Sequence, residues 1–204
     1  DLQPPGLAAT QRVEAGLLPW RLDEQGHARL LRVCAGRVTA GKAQRKPRPD
    51  QLVGPWLDQL ALGASGRPCG QQGIGPDGIV HAAPVAEAEA RGLLSTLAAA
   101  CCEGTGEGGP WPTALATGLA WLPGRDAHAA RAAYDSASQR RGDDQEPHLA
   151  RLYPRFADLL ADPRFESATE GLYAPLAAWL ATLRVEPLPD AVALADPDAE
   201  AADD

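Results

Sequence analysis

Apolar and polar residues alternate in two short segments near the start of the chain, and this pattern predicts a pair of strands. The first runs from Gly16 to Leu22 and the second from Ala28 to Cys34, with a polar turn over residues 23–26 between them. A short apolar segment over residues 77–82 predicts a third strand. The glycine-rich residues 63–75 that precede it have the composition of a loop.

Apolar residues spaced three and four apart predict helices through most of the remaining chain. One helix begins near Pro49 and has Leu52, Trp56 and Leu60 on one face, although Pro55 predicts a kink or a later start. Further helices are predicted over residues 86–102, 113–121, 125–134, 147–153, 155–160 and 163–183. The expected fold class is therefore α/β or α+β, with a small sheet covered by helices and a helical C-terminal half.

Length and composition predict one domain followed by an acidic tail. The 204 residues suffice for a single substantial core. The excess of Ala, Gly, Pro and Arg is also found in disordered chains, but the strong apolar periodicity favours a folded protein from a high-GC genome. After Arg184 the composition changes to Pro, Asp, Ala and Glu, which is typical of a disordered tail. We expect a connecting segment over residues 1–15, a domain over 16–184 and the tail over 185–204. The chain contains no methionine, so we expect it to be a piece of a longer protein.

Charge is distributed unevenly along the chain. The formal net charge of −8 argues against non-specific nucleic-acid binding by the molecule as a whole. Five cations nevertheless fall within twelve residues that contain no acid: Arg37, Lys42, Arg45, Lys46 and Arg48. Such a run can face phosphate groups, or it can be an ordinary solvated loop. These five residues are the candidate DNA-binding residues of the sequence.

Side chains that bind metals or act as nucleophiles form no recognisable pattern. The four cysteines lack the spacing of a zinc site, the four histidines are far apart, and no G-x-S-x-G motif is present. We therefore expect neither a metal nor another cofactor. Free thiols, with no signal peptide and no apolar span of membrane length, favour a cytoplasmic protein.

The predicted strand pair resembles the core of the PD-(D/E)XK nucleases, in which neighbouring strands carry a metal-binding acid and an acid-x-lysine pair. Pro19 stands at the position of the first acid, and Arg32 and Cys34 stand at the positions of the second acid and the lysine. The chain's two lysines follow Ala40 and Gln44 by two residues, so no acid-x-lysine pair occurs. The sequence therefore predicts a nuclease-like scaffold without catalytic residues, whose function is binding or a structural role and not cleavage.

Pro76-Asp77 is the remaining candidate for a magnesium site. Glu87 and Glu89 follow it without a lysine, and Asp77 with either Glu87 or Glu89 could form the acid pair of an active nuclease. An isolated Pro-Asp is far more often a turn, and we expect a turn here.

Several segments together resemble one family, the C-terminal nuclease-like domain of the gamma subunit (RecC) of bacterial exonuclease V. The resemblance lies in the basic run with its helix (37–62), in residues 129–142, and in Leu149-Ala150-Arg151, Tyr153-Pro154-Arg155-Phe156 and Tyr173-Ala174-Pro175-Leu176. It implies a non-catalytic domain that positions forked or single-stranded DNA during double-strand break repair. It also implies two partners, the helicase–nuclease beta subunit and the helicase alpha subunit. The alternatives are an active Mg-dependent nuclease and a protein-interaction module that does not contact DNA.

Overall fold

The computed structural model describes residues 20–22, 28–41, 45–105, 109–137 and 141–188. The strands are β1 (Trp20–Leu22), β2 (Ala28–Val33), β3 (Thr39–Ala40), β4 (Lys46–Pro47), β5 (Gly70–Gly75), β6 (Gly78–Ala82) and β7 (Arg184–Glu186). The helices are α1 (Pro49–Ala64), α2 (Glu87–Thr105), α3 (Leu115–Trp121), α4 (Ala127–Tyr134), α5 (Pro147–Leu152), α6 (Phe156–Leu160) and α7 (Phe165–Ala181), with a 3₁₀ turn at Asp143–Gln145. Where predicted elements fall on these residues, their ends shift by three residues at most.

The main sheet is mixed and has the strand order β1-β2-β5-β6-β7. Only β2 and β5 run parallel, from Arg29 opposite Gly70 to Val33 opposite Ile74, and the other neighbours are antiparallel. A parallel pair needs a crossover connection, and α1 lies within it. Strands β3 and β4 form a separate two-stranded ribbon, which leaves the sheet after β2 and returns the chain to α1.

Strand β5 corrects the prediction of a loop over residues 63–75. Its sequence, GQQGIG, is poor in the β-branched and aromatic residues that favour strands. The strand forms because β2 and β6 flank it and pair with its backbone on both sides. Close packing also requires a residue without a side chain, since a Cβ on Gly75 would lie 2.9 Å from both methyl carbons of Val38.

Helix α1 covers one face of the sheet and contributes to the larger of two hydrophobic cores. It runs without interruption from Pro49 to Ala64, so Pro55 lies inside it and does not delay its start. A Cβ on Gly63 would lie 2.9 Å from the Cβ of Ala90, and α1 and α2 therefore pack unusually closely. The buried members of this core are Val38, Leu52, Trp56, Leu60, Ala64, Val80, Ala82, Val85, Ala90, Leu176 and Trp179.

The helical second half builds the other core, and α7 joins the two. Phe165, at the start of α7, belongs to the second core, whereas Leu176 and Trp179 near its end belong to the first. The remaining buried members of the second core are Ala114, Ala130, Tyr134, Leu149, Phe156 and Leu159. After α7 the chain forms β7, which places Val185 opposite Val80 in β6. Residues 185 and 186, which the composition assigned to the tail, therefore belong to the sheet.

A buried glutamine links the elements around the first core. The side chain of Gln59 in α1 is fully buried, and its Nε2 donates to the carbonyl oxygens of Cys69 (3.0 Å) and Ala83 (2.7 Å). Its Oε1 accepts a hydrogen bond from Nε1 of Trp179 at 3.0 Å. One side chain thus joins α1 to the start of β5, to the segment before α2 and to α7.

Candidate nucleic-acid interface

The basic run lies on the β3–β4 ribbon, here called the basic hairpin and defined as residues 37–48. Val38 anchors it, because its side chain is completely buried in the first core. Thr39 pairs with Pro47 and Ala40 with Lys46, and the amide of Arg48 donates to the carbonyl of Val38 at 2.9 Å. The chain therefore leaves the core at Val38 and returns to it at α1, and Arg45, Lys46 and Arg48 lie between these points.

A single carboxylate holds the base of the hairpin. Asp77, in the turn between β5 and β6, accepts hydrogen bonds from the amides of Val38 (2.9 Å) and Thr39 (3.0 Å) and from the Thr39 hydroxyl (2.6 Å). Burial alone would raise the pKa of this carboxyl, but the Thr39 hydroxyl and the two amides outweigh it and bring the pKa below its ordinary value. The Pro76-Asp77 turn is therefore a structural clamp on the segment that carries the cations.

The predicted cations differ in their surroundings. Arg37 and Lys46 are exposed, and Arg45 is exposed while its Nη1 donates to the carbonyl of Asp77 at 2.6 Å. Arg48 makes a two-pronged ion pair with Asp50, from Nε at 3.1 Å and Nη2 at 2.6 Å. The hydrogen bond and the charge of Asp50 raise the pKa of Arg48. Lys42 lies outside the described residues.

The hairpin therefore offers Arg37, Arg45 and Lys46 to a ligand, whereas the charge of Arg48 is already compensated. Arg45 keeps its position through the carbonyl of Asp77, so the clamp fixes one of the three cations directly. Exposed cations on a fixed ribbon are suited to contact phosphate oxygens, which accept hydrogen bonds from both arginine and lysine.

The residues that the sequence resemblance placed at the acid and lysine positions of a nuclease make other contacts. Arg32 is half-exposed on β2, and its Nη1 lies 3.5 Å from a carboxylate oxygen of Asp58 on α1. Burial raises the pKa of Asp58, and the charge of Arg32 offsets only part of this effect. Cys34 follows β2 and donates its amide to the carbonyl of Ile74 at 2.8 Å. Pro19 lies outside the described residues.

The acids of the alternative magnesium site are not brought together. Asp77 precedes β6, whereas Glu87 and Glu89 begin α2 beyond the other end of that strand. Five residues of strand span roughly 16 Å, too far for ligands of one ion. Glu87 instead pairs with Arg91, one turn further along α2, at 2.7 Å. Among the residues that the structure describes, no cluster of three His, Cys, Asp or Glu side chains could hold a metal.

A polar cavity away from the basic hairpin is lined by residues that no local sequence pattern connects. It has a volume of about 720 Å³ and lies where β6 ends, with Arg29, Gln71, His81 and Arg184 in its lining. His81 Nδ1 lies 3.2 Å from Nε2 of Gln72, and His81 Nε2 lies 3.0 Å from a carboxylate oxygen of Glu186. The pairing of β6 with β7 creates this arrangement from residues about 100 positions apart, so the sequence gives no local signal for it.

These features define a small α/β domain with a clamped basic hairpin at one end of a mixed sheet. The sequence profile of the family described as the RecC C-terminal domain matches residues 3–126. This match covers more than half of the chain, and the chain belongs to that family. The resemblance in residues 129–142 and 147–176 lies outside the matched range. No curated protein sequence matches the chain.

The family places the chain in the gamma subunit of exodeoxyribonuclease V, a component of the RecBCD complex that acts in DNA repair and recombination. RecC is itself a non-catalytic subunit of that complex. Within the described residues, no helix has the length and apolar character needed to cross a membrane.

Proposed function

We propose that this domain is a non-catalytic part of exonuclease V that positions DNA at the fork through its basic hairpin and docks partner subunits. The observation that carries the proposal is the clamp: Asp77 fixes the base of a ribbon on which Arg37, Arg45 and Lys46 are exposed. A solvated loop would need no such anchor. The family supports the same role, since RecC works within a complex that processes broken DNA.

The fold supports an origin from a nuclease scaffold. A β1–β2 hairpin, a helical crossover and a parallel strand β5 form a mixed sheet of the kind that PD-(D/E)XK enzymes use. In this scaffold Arg32 pairs with Asp58 where an acid would be needed, and Asp77 is engaged with the basic hairpin. These contacts support the interpretation that Asp58 and Asp77 have structural roles and do not bind a metal.

Salt dependence of DNA binding is the direct test of the hairpin. Each phosphate contact contributes about 0.9 to the slope of log K against log salt on duplex DNA. We expect the double substitution of Arg37→Ala and Lys46→Ala to reduce that slope by about 2 on a labelled forked duplex. Arg48→Ala is the matched control from the same run, and it should change the slope little because Asp50 already compensates Arg48. An unchanged slope in the double variant would remove the hairpin from the DNA path.

The same titration separates the alternatives when it is run with and without Mg²⁺. Shortened DNA in the Mg²⁺ lanes, lost on Asp77→Ala, would identify an active nuclease. Intact and shifted DNA supports the positioning role.

Docking without DNA contact is the second candidate, and one cavity favours it. An apolar groove of about 490 Å³ is lined by Trp56, Pro84, Leu93, Pro175 and Trp179 among others. The apolar lining of this groove is a surface that a partner subunit could cover. Binding of the helicase–nuclease beta subunit by a chain that leaves DNA unshifted would favour this role, and Leu93→Glu should then abolish that binding.

A further inference from the structure

The proposed function makes no use of the polar cavity at the end of β6. Gly70, the first residue of β5, lies in its lining beside Ala82 and Pro84 and adds no side chain to fill it. Two arginines line the cavity from opposite directions, Arg29 from β2 and Arg184 from β7, with β5 and β6 between them. Neighbouring strands lie about 4.8 Å apart, so the backbones of β2 and β7 are roughly 14 Å apart across the sheet. Both long side chains can therefore reach a group held over Gly70.

The strand register places both arginines on the same face of the sheet. Arg29 is opposite Gly70 in the parallel pair of β2 and β5, and Arg184 is opposite His81 in the pair of β6 and β7. His81 is opposite Gln72, which follows Gly70 by two residues in β5. Alternate residues of a strand lie on the same face, so the two arginines and Gly70 share one side of the sheet.

The histidine and the acid beside the cavity interact with each other. His81 lies 3.2 Å from Nε2 of Gln72 and 3.0 Å from a carboxylate oxygen of Glu186, so its ring is a fixed part of the cavity wall. Glu186 also accepts from Nη2 of Arg184 at 2.9 Å. The side chain of Arg184 is 71% exposed, and an exposed ion pair of this kind stabilises little. A phosphate can therefore bind Arg184 beside Glu186 or in its place, since a guanidinium has several N–H donors.

The size and the lining of the cavity fit a nucleotide better than a bare anion. Its volume of about 720 Å³ lies within the range of small-molecule sites, about 300–1,000 Å³, and a phosphate group would occupy only part of it. Pro68, Ala83 and Pro84 form an apolar wall against which a sugar and a base can lie. The described lining includes no aromatic residue, so binding depends on the phosphate and on apolar contact and not on base stacking.

We propose that this cavity binds one nucleotide of a single DNA strand, with its phosphate between Arg29 and Arg184 and its sugar and base against the apolar wall. The inference rests on the proposed function for the source of the nucleotide, a DNA strand, whereas the cavity itself is separate from the basic hairpin. Asp77 clamps the hairpin at one end of β6, and the cavity lies at the other end, roughly 16 Å away. At about 3.4 Å per phosphate, roughly five nucleotides of one strand separate the two sites.

Titration of the full chain with thymidine monophosphate, followed by amide chemical shifts, tests the cavity. We expect saturable shifts at the amides of Gly70 and Ala83. Thymidine and inorganic phosphate each carry only part of the ligand, so both should bind about tenfold more weakly or worse. Inorganic phosphate that binds as tightly as the nucleotide would mean a plain anion site and would overturn the proposal. The absence of saturable shifts would overturn it as well.

Two substitutions test the arginines. Arg29→Gln and Arg184→Gln remove one charge each and keep a polar side chain, and each should weaken binding of thymidine monophosphate about tenfold. Arg151→Gln removes an exposed cation from α5 and is the matched control, which should bind as the unchanged chain does. Arg184 is exposed on an edge strand, so Arg184→Gln still tests the cavity where Arg29→Gln fails to fold. Unchanged binding in Arg184→Gln would refute the proposed contact.

Gly70→Val separates occupation of the cavity from attraction by charge. A Cβ at this position would lie 3.4 Å from the carbonyl oxygen of Ala82, which is an ordinary contact, and valine is favoured in strands. The added methyl groups take up space beside Pro84 and leave both arginines in place. We expect this variant to lose most of its binding of thymidine monophosphate. Undiminished binding would place the nucleotide elsewhere and overturn the inference.

The cavity and the hairpin can fail separately. Suppose that the cavity binds thymidine monophosphate and its variants do not, while the salt slope is unchanged by the double substitution of Arg37→Ala and Lys46→Ala. That result would support the cavity and refute the role of the hairpin. A cavity that binds no nucleotide, in a chain whose salt slope on forked duplex falls by about 2 in the double variant, would overturn this inference and leave the proposed function intact.

Discussion

Substitution of Asp77 by alanine should release the basic hairpin from the sheet. The change removes an acceptor of three hydrogen bonds, two from backbone amides and one from the Thr39 hydroxyl. Hydrogen bonds to a charged group contribute about 1.5–3 kcal/mol each. Asp77 is only partly buried and water can replace part of what is lost, so we expect a cost of about 2–4 kcal/mol in hairpin docking. That cost corresponds to a local opening equilibrium raised roughly 30- to 900-fold.

Amide hydrogen exchange at Val38 and Thr39 measures this opening. Both amides donate to Asp77, so both should lose protection in Asp77→Ala, while amides in α7 exchange as before. Asp77→Asn is the matched control, because it keeps the size and one acceptor oxygen and should fall between the other two proteins. Protection of Val38 and Thr39 that is unchanged in Asp77→Ala would refute the clamp.

The clamp should also weaken in acid. The pKa of Asp77 is lower in the folded protein than in the unfolded chain, so its carboxylate stabilises the fold above the unfolded pKa of about 3.9. This contribution is lost as the pH falls through the lower, folded value. The amide shifts of Val38 and Thr39 should therefore titrate together below about pH 3.9. Titration of these amides near neutral pH instead would assign the effect to another group.

Two further predictions concern the first core. Gln59→Leu should lower the free energy of unfolding by roughly 3–6 kcal/mol, measured by urea titration. The substitution leaves the Trp179 N–H and the carbonyls of Cys69 and Ala83 without partners in the core. A loss below about 1 kcal/mol would mean that water satisfies these groups. Exposed Cys101 should react with a thiol reagent well before buried Cys69, because burial raises the pKa of the Cys69 thiol. Equal reaction rates in mapped peptides would contradict the packing around β5.

Much of the helical architecture could be predicted from the sequence because it depends on local periodicity. Apolar spacing predicted the helices in residues 49–181. In α1, the residues expected on the apolar face, Leu52, Trp56 and Leu60, are buried. Strand β6 was also predictable, since it is a short apolar segment, and in the structure its residues alternate in burial. In these segments the residues that decide the structure lie within one or two turns of each other.

The errors occur where distant residues decide the structure. Strand β5 has a loop-like composition, and only its neighbours β2 and β6 make it a strand. Strand β7 lies where the composition begins to change to that of the tail, yet it pairs with residues about 100 positions earlier.

The hairpin cations were visible as a run of charge, but the clamp was not. Asp77 lies 38 and 39 residues from the amides that it binds, and the role of Arg48 depends on its pairing with Asp50. The sequence shows which side chains are present in such a site, but their hydrogen-bond and ion-pair partners depend on the tertiary fold.

The pairing of β7 with β6 has a consequence for synthesis of the chain. His81 and Glu186 are 105 residues apart, so β6 remains an unpaired sheet edge until the ribosome has released nearly the whole domain. Contacts of such long sequence separation form late and slowly, and an open edge can pair with other chains in the meantime. The small number of β-branched and aromatic residues in β5, next to that edge, lowers its tendency to aggregate during this interval. The domain thus completes its sheet last, and its vulnerable period is the time needed to translate the helical half.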